Sequence, residues 1–91
     1  MHEGIPFQER IRWRITSRIR DGVLPRHSPD GVLTGRGSGR ICDGCGERIT
    51  GADAEVDATF PDSTLLCFHR SCYVQWNARR VQPSVPADRL T

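Results

Sequence analysis

Lysine is missing altogether, and all thirteen basic side chains are arginine. Arginine suits planar contacts with carboxylates, phosphates and aromatic faces. A high-GC genome enriches it equally, so the bias alone names no partner. Long apolar runs are missing too. No stretch approaches the roughly 20 residues a bilayer requires, which argues against a membrane partner. The opening Met1-His2-Glu3-Gly4 has neither the basic start nor the apolar stretch of a secretory signal. The expected compartment is therefore the cytoplasm. In that reducing setting the cysteines are expected as metal-bound thiolates, with disulfide pairing as the alternative.

Ninety-one residues make one small domain at most. The net charge of +2 is unevenly spread. Residues 1–40 carry eight arginines and four acids, giving +4, while residues 41–91 carry five arginines and seven acids, giving −2. A basic arm leads into a mildly acidic module.

What the chain does have is ligand chemistry. Cys42-x2-Cys45 is followed after twenty-one residues by Cys67-x-His69-x2-Cys72. The first pair reads Cys42-Asp43-Gly44-Cys45-Gly46, a tight turn whose glycine lets the backbone fold around an ion. His69 and Cys72 stand three apart, as at the first turn of a helix. Five candidates compete for four positions. Cys42, Cys45, His69 and Cys72 give both pairs compact spacing and would close a structural site around one Zn2+. Cys67 is then a small buried residue near the metal, a stand-in ligand replacing His69, or an oxidation-sensitive thiol.

Four segments follow from the pattern. Residues 1–24 hold an amphipathic helix over 6–22, with Pro6 at its start and Gly22 at its stop. Phe7, Ile11, Ile15 and Ile19 form its apolar stripe. So short a helix is marginal alone. The stripe is expected to dock on the zinc module, with pairing to a second copy or ordering on a partner as alternatives. Trp13 falls on the polar side. Residues 25–40, rich in glycine, proline and serine, read as a flexible linker, with His27 solvated. Residues 41–82 form the zinc-binding module: a strand over 54–60, a turn at 61–64, a strand over 65–69 and a helix over about 71–81. Residues 83–91 read as a loose tail.

The Cys42-x2-Cys45 … His69-x2-Cys72 arrangement, with Phe68-His69-x-x-Cys72-Tyr73, resembles the first zinc site of LIM domains and the wider treble-clef group. The likeness covers about forty residues. It also resembles small bacterial zinc-binding proteins in which a leading helix precedes one such motif. The fold it implies is a small α+β zinc-stabilised domain: a zinc knuckle, a β-hairpin and a short C-terminal helix, here preceded by the amphipathic helix. A LIM domain continues at once into a second zinc site, whereas no cysteine or histidine follows Cys72. The arrangement is thus half of a LIM domain, and LIM functions do not carry over.

The expected function is a non-catalytic zinc module that binds a macromolecule, foremost a protein, through Trp13, Glu55 and Asp57, with Trp76 also a candidate contact but expected first in the core. The alternative is nucleic-acid binding by the first helix, with Arg10, Arg14, Arg20 and their neighbours Arg12, Arg18 and Arg26 on phosphates and Trp13 on a base. A third reading is a thiol or zinc redox sensor using Cys67. Four good ligands leave no open coordination position, so no enzyme is expected.

Overall fold

The computed structural model describes residues 7–81, with side chains from residue 9 onward. Pro6, the side chain of Phe7 and the tail at 83–91 lie outside the described residues. The order of elements is α1 (Phe7–Arg20), β1 (Gly31–Arg36), β2 (Ala54–Thr59), β3 (Leu65–His69) and α2 (Arg70–Arg80).

Helix α1 stops where its C-terminal glycine dictates. Gly22 takes φ 82°, a left-handed conformation open to glycine. Val23 N then donates to Arg18 O and Gly22 N to Ile19 O, the paired closure of a Schellman motif. Leu24, just beyond, is buried. Ile11, Ile15 and Ile19 are buried as well, and α1 packs against α2. At about 1.5–3 kcal/mol per buried side chain, the three isoleucines supply what a fourteen-residue helix lacks alone. The stripe is satisfied within the chain.

The sheet is antiparallel throughout, in the order β1-β2-β3. Strands β2 and β3 form the expected hairpin, with Val56 beside Phe68 and Ala58 beside Leu66. Ser63 closes its turn at φ 75°, while Thr64 N donates to Asp62 Oδ1. Val56, Ala58 and Phe68 are buried. Trp76 of α2 stacks on Phe68 with ring centroids 5.3 Å apart and meets Phe60 edge-on at 6.0 Å.

The segment 25–40 departs from its reading as a flexible linker. Gly31–Arg36 is the strand β1, paired over its full length with β2. Its residues are exposed or nearly so. An edge strand solvated on both faces has no buried side to impose a two-residue alternation, so composition alone reads as linker. Its strand state comes from backbone bonding to β2.

Candidate metal centre

The Cys42–Cys45 turn is a hydrogen-bonded loop lying under both helices. Cys42 N donates to Glu47 O, Gly46 N to Cys42 O, and Ile49 N to Arg40 O. Gly46, at φ 84°, supplies the left-handed residue. Gly44 is small for another reason. A Cβ there would stand 3.1 Å from Cys72 Cβ, 3.2 Å from Phe68 Cδ1 and 3.4 Å from Ile15 Cδ1. The knuckle is pressed against the start of α2, and a side chain there would require its neighbours to give by a few tenths of an ångström. Strand β3 ends at His69 and α2 starts at Arg70, so one junction delivers both His69 and Cys72.

One ligand atom from each of Cys42, Cys45, His69 and Cys72 lies within 4.8 Å of all the others. His69 Nδ1 is 3.4 Å from Cys45 Sγ and 3.8 Å from Cys72 Sγ. A tetrahedral ion with bonds of about 2.3 Å to sulfur and about 2.0–2.1 Å to nitrogen sets such ligands about 3.6 Å apart. The group is therefore dimensioned for a metal ion. The backbone N–H groups of Gly44, Cys45 and His69 donate to Cys42 Sγ at 3.3–3.4 Å, the environment of a thiolate.

Proton affinities agree with that reading. Cys42 is held far below the ordinary thiol range, first by the Cys72 thiol, with backbone N–H groups adding to it and burial opposing. Cys72 is pushed up by its bond to Cys42 and by burial, and Cys45 is pushed up by burial. Three sulfurs crowd around one negative charge, and a divalent cation can take the place of the remaining protons.

Three partners around the ligands carried no signal of that contact in the sequence. His69 Nε2 lies 3.2 Å from Arg48 O and 3.5 Å from Asp53 Oδ2. Donation of Nε2–H to that carbonyl leaves the Nδ1 lone pair facing the sulfurs. Arg14, on α1, donates to the backbone carbonyl of Cys45. A cleft of about 370 Å³ between α1 and the knuckle is lined by Arg10, Ile11, Arg14, Cys45, Glu47 and His69.

Cys67 stands with a different group. Its neighbours are Glu55 and Asp57, and Arg40 Nη1 reaches its Sγ at 3.2 Å. Only 6% exposed, its thiol is pushed up by burial, with Arg40 opposing. The other named residues separate sharply. Trp76 is fully buried and donates Nε1–H to Pro25 O, in the core, its first expected place. Glu55 is 4% exposed and accepts from Ser38 N and Oγ. Trp13 is 64% exposed. Arg12 lies 3.8 Å from Glu9, Arg14 3.9 Å from Glu47 and Arg20 3.4 Å from Asp21.

No family model matches this chain, and no match is found among curated proteins or solved structures.

Proposed function

We propose that the chain is a single-zinc, treble-clef-like module that presents α1 to a partner protein. The observation that carries the metal assignment is the Cys42, Cys45, His69 and Cys72 cluster, whose sulfur–nitrogen spacing fits a tetrahedral zinc ion. Cys42, Cys45 and Cys72 supply thiolates, and His69 supplies a neutral imidazole held by Arg48 O. Four donors from the chain complete the coordination of such an ion, which supports a structural role and not a catalytic one. The ion would add on the order of 10–16 kcal/mol of binding energy to a small core.

The recognition half of the proposal rests on Trp13. The isoleucines of α1 are spent on the core, and Trp13 is the exposed aromatic that they leave on the outer face. Acids lie within 4 Å of Arg12, Arg14 and Arg20. That local neutralisation favours a protein with an apolar recess for the indole over a nucleic-acid backbone. The burial of Cys67 and its raised thiol likewise weigh against a redox sensor.

Native mass spectrometry of the chain made in zinc-containing medium tests the metal. One zinc per chain is expected, and a metal-free chain would overturn the assignment. A photo-crosslinking residue at position 13 tests the surface in cells. Discrete protein adducts that survive nuclease are expected, whereas adducts to nucleic acid would shift the reading to the arginine helix.

A further inference from the structure

The four donors of the metal centre are unequally covered. Cys42, Cys45 and Cys72 are buried. Three backbone N–H groups close over Cys42 Sγ, and Cys72 packs against Gly44. His69 keeps 18% of its side chain exposed, and it is the neutral donor among three thiolates. The cleft of about 370 Å³ between α1 and the knuckle is lined by His69 and Cys45, so it reaches the centre from the side of the least covered donor. The hollows beside Trp13 touch none of the four. The wall of the cleft is charged. Arg10 and Arg14 stand one turn apart on α1, and Glu47 lies 3.9 Å from Arg14 Nη1. Two arginines against one carboxylate leave this wall one surplus positive charge. Three thiolates around a divalent ion leave one negative charge, so an anion nearing the donors meets a repulsion that the wall offsets. The volume lies at the lower end of pockets that hold small molecules.

We propose that this cleft is the port of metal exchange and that it admits a small carboxylate-bearing chelator. The inference rests on the zinc assignment above. Arg10 and Arg14 hold the chelator's carboxylates at the mouth, and a further donor atom of the chelator takes the position that His69 gives up. The three cysteines release next, each thiolate taking a proton from solvent as the chelator carries the ion away. Arg14 has a second task, because it donates to Cys45 O and ties α1 to the knuckle. The two tasks have opposite signatures. Loss of the tie loosens the cover for every chelator alike, whereas loss of positive charge slows anionic chelators alone. Arg10 lines the same cleft one turn earlier and reports the charge by itself.

Loss of zinc from the loaded full chain is followed by native mass spectrometry after mixing with excess EDTA, a polycarboxylate, or with phenanthroline, which is neutral. With EDTA the rate is expected to rise with chelator concentration and to fall with added salt. Arg10→Gln is expected to slow release by EDTA about fivefold and to leave release by phenanthroline unchanged. Glu47→Gln is expected to quicken release by EDTA. Arg14→Gln is expected to quicken release by phenanthroline while lowering the ratio of the EDTA rate to the phenanthroline rate. A rate independent of EDTA concentration overturns the proposal while the zinc stoichiometry stands. So does an Arg10→Gln chain slowed equally by both chelators or by neither. A chain that carries no zinc at the outset overturns the metal assignment itself, and this port with it.

Discussion

Trp76 donates its indole N–H to Pro25 O at 2.9 Å, pinning α2 to the stretch that follows α1. The same ring stacks on Phe68 and carries the Arg80 guanidinium 5.1 Å above it. Trp76→Phe keeps an aromatic core but leaves a carbonyl without its donor. The expected loss is about 1–3 kcal/mol in urea unfolding, with metal stoichiometry unchanged. An unchanged midpoint would show that water takes over the bond.

Cys67 and Cys72 should part company in metal analysis. Cys72→Ser removes a donor from the four-membered cluster, whereas Cys67→Ala removes a thiol held by Arg40 in another group. Loss of bound zinc and of tertiary circular dichroism is expected for the first, and full retention of zinc for the second. Zinc lost from the Cys67 variant would make that sulfur a ligand. Chelation of the unaltered protein is expected to reproduce the first result.

Ser63 sits at φ 75°, where a side chain meets its own backbone. Ser63→Gly relieves that contact at the cost of a more flexible unfolded chain. A net gain of about 0.5–1 kcal/mol is expected, read as a higher thermal midpoint. A lower midpoint would mean that entropy outweighs the relief.

Asp57 gives a pH-dependent expectation. Burial raises its carboxyl above the ordinary range, Glu55 adds to this, and Arg40 opposes it. A raised value means that the folded chain holds the proton more tightly than the unfolded chain. The stabilisation is full below the ordinary value of about 3.9 and is lost as pH rises through the folded value. Asp57→Asn should therefore stabilise the protein at pH 8, by less than about 1 kcal/mol, and the gain should shrink as the pH falls through the folded value toward about 3.9. A gain independent of pH would point to packing.

The amino-acid sequence by itself determined the local structure. Helix α1, the β2–β3 hairpin and the Gly22 stop follow from isoleucines at four-residue spacing, a proline–aspartate turn and a glycine suited to positive φ, and α2 from the three-residue step between His69 and Cys72 and the face they share with Trp76. The two close ligand pairs were legible for the same reason, because each is built within one turn of chain. Tertiary structure decided what depends on distant neighbours. Strand β1 exists because β2 offers it a ladder, and solvated side chains left no periodic trace of that. Glu55 is buried because Ser38 comes over it from the segment that composition marks as linker. Cys67 is drawn into a group with Asp57 and Arg40, although only one residue separates it from His69. The two share one face of β3 and still meet different partners, because those partners come from parts of the chain that no local pattern connects.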